Sequence, residues 1–518
     1  MHFTSKNYEK CFFIICLVLA ALLLFYNLGD RFIGPTDEAY VVERSQEIIK
    51  IGYPGDLQVS LVTLPHLYLT SLSVLVFGLN QFSIRFVSAV FGILFLVLYF
   101  VFLKENVKDR KTRIIAFLLV IFSTLFYLHA RHGRYYSMLM FFSLLTIFFF
   151  IRFMKNRKNS MLPFIISSVI LFYTHAEVGI YLIAGLFLFS IIERRNNIKN
   201  IFSPFILIGI FSLPLIILWL YSRQTLSPLS SVFNTGFLLL NIASGVFYLL
   251  VFFLPPAIVV LGLYLVKKNK INWRKLSTEH RLFLTIIITI LVLSSLISVT
   301  GPISIRKLIV LLPLASILIA YVISQMFFAR KNNAMKFLGF IILIILVFTN
   351  FINIIPLNFI RNVDLGSYAT QEVTDRFLSR SLQPRYYFFD YLYEATHHYE
   401  YSSESVIKVV SQTYVKGDKI FLMSNYVPPQ AFVMYLNASQ ENIISRNNLS
   451  ELNESYRWII IDNATTSPNA NLDLYINTAK YEIFTVHNTG EQWSEFPDPV
   501  HHRFSPEQNG YILIYKKI

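Results

Sequence analysis

The first 360 positions are dominated by apolar runs long enough to cross a bilayer core of roughly 30 Å, which takes about 20 helical residues. Eleven such runs lie at 11–28, 85–103, 114–130, 137–152, 161–174, 177–192, 201–221, 237–266, 282–299, 307–329 and 337–356. The fifth and sixth are short, and 237–266 is overlong with Pro255-Pro256 inside it, so the pattern predicts about eleven transmembrane helices. No small-residue cleavage site follows the first run, which reads as a retained helix and not a signal peptide. After about Arg361 the pattern changes to short strand-like runs, Lys419–Met423, Tyr456–Ile461 and Tyr511–Tyr515, preceded by a helical stretch near 367–415. The expected fold is therefore a polytopic α-helical membrane domain, 1–360, followed by a small soluble α/β domain, 361–518.

Composition agrees with this division. The chain has 518 residues, 55% of them hydrophobic and only 14% charged, with a mean hydropathy of +0.55. Soluble globular domains carry about a quarter charged residues, so water-soluble enzymes and nucleic-acid binders are excluded. The net charge of +15 is a topological signal: residues 1–360 hold 32 Lys+Arg against 12 Asp+Glu, whereas 361–518 hold 13 against 18. Of the 32 basic residues, 23 fall in alternate loops on one side and nine on the other. By the positive-inside bias the N-terminus is cytoplasmic, and an odd number of crossings places the C-terminal domain outside the cytoplasm. Cys11 and Cys16 both lie in the first apolar run and offer neither a disulfide framework nor a metal-ligand set.

The candidate chemistry lies in the first outer loop, residues 29–84, which holds six of the twelve acidic residues before position 361. Asp37-Glu38 follows Gly34-Pro35-Thr36, where Pro35 suits a helix start and Thr36 or Asp37 a cap. The pair is either a plain helix cap at the membrane surface or two carboxylates held there as a general base or metal ligands.

A series of further motifs follows: Leu64-Pro65-His66-Leu67-Tyr68-Leu69, Ile84-Arg85-Phe86, His129-Ala130-Arg131-His132-Gly133-Arg134-Tyr135-Tyr136, Tyr173-Thr174-His175-Ala176-Glu177 and Ile305-Arg306-Lys307-Leu308. In order and topology the series resembles the GT-C glycosyltransferases that use polyprenyl-phosphate sugars, specifically the protein O-mannosyltransferase and aminoarabinose lipid A transferase group. Two positions depart from the group: Leu64 precedes Pro65 where a double proline is usual, and Arg306-Lys307 replaces the usual Arg-Tyr.

The resemblance implies an inner-membrane enzyme that passes a sugar from a polyprenyl-phosphate carrier to a lipid, glycan or protein acceptor on the periplasmic side. An acceptor hydroxyl needs a base, for which Asp37 is the candidate with Glu38 beside it. A leaving lipid phosphate needs cations, and Arg85, Arg131, Arg134, Arg306 and Lys307 all sit at outer helix ends. Snorkelling at the interface is the alternative use of each. Tyr40, His66, Tyr68, Tyr136, His175 and Glu177 are the candidates for positioning the acceptor, and His175 and Glu177, with Asp37 and Glu38, could hold a divalent cation. The rival reading is a polytopic transporter or lipid-linked-sugar flippase, which would carry ionisable residues in mid-membrane and a repeated half.

Overall fold

The computed structural model describes the chain except for residues 1–4, 34–36, 56–62, 194–197, 227–234, 269–276, 298–304, 330–331, 362–383, 398–401, 425–426, 447–448, 450–451, 463–474, 476, 478–479 and 488–510. Each of the eleven apolar runs falls on a helix or on two helices that meet at a bend. Gln81–Asn106, Tyr136–Met154, Ala176–Glu193 and Arg306–Phe328 are long and apolar enough to span a membrane singly. Counting each of three bent pairs as one span gives seven among the described residues. Met161–Thr174, with 14 residues, rises only about 21 Å and falls short of a bilayer core alone.

The overlong run at 237–266 breaks at Leu254-Pro255, where the axis turns by 89°, because proline lacks an N–H and its ring collides with the preceding turn. The other bends, of 53° and 86°, fall between Ile121 and Thr124 and between Phe348 and Phe351. No proline lies there; the backbone of Ser123 and of Thr349 turns extended and ends one helix before the next begins. Inside the bundle, aromatic rings such as Phe95, Tyr99, Phe117 and Phe126 stack on one another. Outside it, Leu75, Leu162, Leu263 and Phe337 stand more than 60% exposed, which suits a lipid environment and no aqueous one.

Apart from Arg44 with Glu43 and Glu47 inside the helix Asp37–Ile51, ion pairs within the helical part form two sets. Glu9–Arg113, Glu105–Arg152, Lys155–Glu279 and Glu193–Arg281 join loops assigned by charge to one side. Asp37, Glu38, Arg85, Arg134, Glu177, Arg306 and Lys307 pair among themselves at the other. Among the described residues no pair joins the two sets.

The C-terminal part forms a five-stranded sheet in the order β2-β1-β3-β5-β4, with β1 Ile420–Met423, β2 Ile443–Ser445, β3 Trp458–Asp462, β4 Tyr481–His487 and β5 Tyr511–Lys517. β1 runs parallel to β2 and β3, while β5 is antiparallel to β3 and β4. Side chains alternate between faces as a strand requires. Ile420, Leu422, Trp458, Ile460, Ile512 and Ile514 face Val406 and Phe432 of two covering helices, whereas Phe421, Ile459 and Tyr515 face the other way.

The first of these faces does not close on itself. The same core takes in Phe32, Ile33, Val41, Val42 and Ile48 of the first outer loop. Tyr435, on the helix Pro429–Leu436, stacks on Phe32 with ring centroids 4.1 Å apart, and its hydroxyl accepts from Ile33 N at 3.3 Å and Gln81 Nε2 at 2.8 Å. Gln430 Nε2 donates to Glu43 at 2.9 Å. The sheet domain thus grips the loop that carries Asp37. Tyr435→Phe leaves two donors without their acceptor and should destabilise the protein by about 1–3 kcal/mol. Thermal denaturation in detergent measures this, and an unchanged midpoint would show that the contact does not brace the loop.

Candidate active site

The helix Asp37–Ile51 begins at the two carboxylates themselves, with both in its first turn where the helix dipole favours negative charge. The cap expected from Pro35 and Thr36 lies outside the described residues. The two neighbours point to different surroundings, since consecutive helical positions are about 100° apart.

Glu38 points inward. It is fully buried and receives Arg85 in a bidentate pair, Nε to Oε1 and Nη2 to Oε2, both at 2.7 Å. Gly133 N donates to the same Oε1 at 2.8 Å, and any side chain at 133 would collide with Ile84. The remaining Arg85 hydrogens go to the carbonyls of Leu28, Arg31 and Phe32 at 3.2, 2.9 and 2.7 Å. Arg85 is therefore a strut between the end of the first helix and the outer-loop helix. Arg85, expected from the sequence to bind phosphate, and Glu38, expected beside the base, are here engaged with each other.

Asp37 points away from Glu38, its side chain 12% exposed. Its Oδ1 accepts from Arg134 Nη2 at 2.5 Å, and its Oδ2 from Arg306 Nη1 at 2.7 Å and Tyr136 Oη at 3.2 Å. Burial alone would raise the Asp37 carboxyl, but the Arg134 and Arg306 charges, aided by His132, outweigh it and hold the group well below the usual carboxylate range. Burial likewise works against the Arg134 charge, and Asp37 restores it and more, so the guanidinium stays protonated. The Arg134 guanidinium also lies over the Tyr40 and Tyr135 rings, 5.3 and 5.7 Å from their centroids.

The other candidates separate cleanly. Lys307 Nζ pairs with Glu177 Oε2 at 2.6 Å, one residue beyond Arg306. His175 accepts from Val178 N at 3.3 Å at the start of the helix Ala176–Glu193, and its ring packs on Tyr135. Arg131, expected to meet phosphate, donates to Leu23 O at 2.9 Å and Tyr26 O at 2.7 Å, satisfying the carbonyl end of the first helix. His66 is buried, with Nε2 3.2 Å from Ser88 Oγ, which donates to Arg134 O. Through Ser88 it supports the backbone of Arg134. Tyr68 is 45% exposed and donates to Gly52 O at 3.0 Å, apart from the cluster. The four residues considered for a cation do not converge, because Glu38 faces Arg85 and Glu177 faces Lys307; among the described residues no three His, Cys, Asp or Glu side chains come together as a metal site.

One buried residue was not singled out from the sequence. His132 lies between Asp37 and Glu38, its Nε2 3.9 Å from Asp37 Oδ2 and its Nδ1 3.6 Å from Glu38 Oε1. Its presence in the motif with Arg131 and Arg134 was the only signal.

Residues 56–224 match the family model described as dolichyl-phosphate-mannose-protein mannosyltransferase. The whole chain is similar in fold to ArnT from Cupriavidus metallidurans. The TM-score is 0.57 for the structure bound to undecaprenyl phosphate, at 12% identity and covering 99% of this chain and 98% of that one. It is 0.54 for the apo state, at 13% identity with 98% of each chain covered. An uncharacterized protein of Aquifex aeolicus strain VF5 is 23% identical over 189 residues, 35% of this chain and 38% of that relative's length. The chain thus has the fold of ArnT, and residues 56–224 are similar to the mannosyltransferase family.

Proposed function

We propose that this multi-pass membrane protein is a glycosyltransferase that moves one sugar from a polyprenyl-phosphate carrier to an acceptor at the outer face of the membrane, by a single displacement that inverts the anomeric carbon. One observation carries the reading: Asp37, Arg134 and Arg306, from three separate segments, meet with side chains 12%, 17% and 25% exposed, whereas Glu38 and Arg85 beside them are 0% and 3% exposed. A base and two cations are within reach of a ligand, and the strut below them is not.

In this reading the arginines hold the lipid phosphate and neutralise the charge that grows as it leaves. Asp37 takes the proton of the acceptor hydroxyl. Tyr40 and Tyr136 flank the carboxylate and position the acceptor, with Glu177, Lys307 and His175 at its edge. That ArnT was crystallised with undecaprenyl phosphate supports the same class of donor. The two segregated sets of ion pairs, with the positive-inside bias, support an inner-membrane protein with a cytoplasmic N-terminus and an extracytoplasmic sheet domain.

A transporter or flippase has one observation in its favour. The three helix breaks border one cavity of about 110 Å³, lined in part by Ser123, Thr124, Ser316, Asn350 and Asn353, and broken helices often frame a transported substrate. Among the described residues no charged side chain lines that cavity, so none of them there can hold a phosphate.

The test is binding of undecaprenyl phosphate to purified protein in detergent. Arg134→Ala and Arg306→Ala should each weaken it by on the order of 10- to 100-fold, one charge-assisted hydrogen bond being worth roughly 1.5–3 kcal/mol. Arg134→Lys should restore only part, because a point charge lacks the planar fork. Unchanged affinity in folded variants would remove the phosphate from this site.

A further inference from the structure

His132 is shut off from solvent, and neither ring nitrogen has a hydrogen-bond partner among the described residues. Its neighbour His129 shows the ordinary arrangement, with Nδ1 2.8 Å from Leu125 O. His132 is instead suspended between two carboxylates, just beyond hydrogen-bond reach of both, with its ring nearly parallel to that of Tyr136 at 6.3 Å. The groups that face it are Asp37 and Glu38 from the outer-loop helix, Arg134 from its own segment, Arg306 from the segment 305–308, Tyr136, and His66 from the helix Leu64–Phe77. Arg31, Arg85 and Arg131 border the same recess. Burial pushes the imidazole down to about 4, against the pull of Glu38 and Asp37 and with the help of Arg306 and Arg134, so the resting ring is neutral.

We propose that His132 stores the proton that Asp37 removes from the acceptor, and that the arrival of the lipid phosphate readies it to do so. The inference rests on the glycosyltransferase reading of the site. In the resting protein Arg134 and Arg306 both hold Asp37, which is then ionised but weakly basic. A lipid phosphate competes for these same two guanidiniums. Once it takes Arg306, the Oδ2 oxygen, left with the longer bond from Tyr136, can close the remaining gap to His132 Nε2, and the added negative charge raises the proton affinity of both groups. The tautomer that accepts there carries its hydrogen on Nδ1, toward Glu38, which Arg85 holds in place.

During transfer, the acceptor oxygen bonds to the anomeric carbon as its O–H bond breaks. The bond from that carbon to the phosphate oxygen breaks, and its electron pair leaves with the lipid phosphate. The proton passes to Asp37 Oδ2 and on to His132 Nε2, giving an imidazolium between two carboxylates. When the lipid phosphate departs, the arginines return to Asp37, the imidazolium loses its stabilisation, and the proton goes to water.

The test uses undecaprenyl monophosphate as probe and needs no acceptor. Calorimetric titration of the purified full chain near pH 6, in buffers of different ionisation enthalpy, counts the protons exchanged per lipid bound. Capture by arginines makes the lipid phosphate release protons, alike in wild type and His132→Gln, which keep the same charges around it. Wild type should therefore show a net excess of uptake over His132→Gln, with lipid affinity within about twofold. Asp37→Asn, with His132 intact, should lose the same excess, so the outcome does not depend on how well the histidine variant folds. Equal proton counts in wild type and either variant would overturn the storage role and leave the glycosyltransferase reading standing. Failure of wild type to bind the lipid would overturn that reading first.

Discussion

Asp37→Asn is expected to lower sugar transfer by about 10²- to 10⁴-fold, the usual worth of a positioned general base, while the protein keeps its fold. Asparagine has the shape of aspartate and its one amide oxygen can still accept, either from Arg134 or from Arg306 and Tyr136, but its amide nitrogen cannot accept and it cannot take a proton. The two guanidiniums lose their counter-charge, which would be severe in a sealed core. Here both are partly open to water, so the stability loss should stay modest. A second outcome separates this variant from one that simply damages the site. With the competing carboxylate gone, undecaprenyl phosphate should bind at least as tightly as to wild type. The measurement is transfer of labelled sugar from a polyprenyl-phosphate donor by purified protein, with lipid binding and thermal stability followed alongside. Near-normal transfer would dismiss Asp37 as the base.

The helical half was legible because lipid imposes a simple pattern: every span must satisfy its own backbone and show apolar side chains outward. The bend at Pro255 could be anticipated from the residue itself, whereas those at Ser123 and Thr349 could not, since neither carries a helix breaker. The strand Tyr481–His487 escaped notice for another reason. It is an edge strand, half exposed along most of its length, and lacks the continuous apolar run that marks β3.

In the site, Asp37, Arg134 and Arg306 stood out and do meet. Arg85 and Arg131 stood out on the same grounds, being arginines at outer helix ends, yet they hold Glu38 and the end of the first helix. Position at a helix end says which side a cation is on and nothing of which partner it finds. Arg85 and Glu38 are 47 residues apart, and Tyr435 and Ile33 are 402 apart; no local pattern encodes such pairings. His132 was overlooked because a buried histidine between carboxylates differs from a packed one only in what surrounds it.

Arg85→Ala should be the most damaging single change to the fold. It leaves the Glu38 carboxylate, which no solvent reaches, without its counter-charge, and it frees three backbone carbonyls from their donor. Breaking a buried ion pair from one side typically costs about 3–5 kcal/mol, comparable to much of the stability of a domain. Glu38→Ala should approach the same loss, because the buried Arg85 is then the orphan and Gly133 N loses its acceptor. Removing both charges together, as Arg85→Met with Glu38→Leu, should recover part of the stability, since the desolvation cost of the pair disappears along with its attraction. Melting temperatures in detergent, read as a double-mutant cycle, test this. A cycle with no coupling between the two sites would contradict the strut. Transfer should fall in every one of these variants in step with the folded fraction, because Glu38 fixes where the neighbouring Asp37 stands. Asp37→Asn should lose transfer in protein that remains folded, and that difference assigns the chemistry to one carboxylate and the architecture to the other.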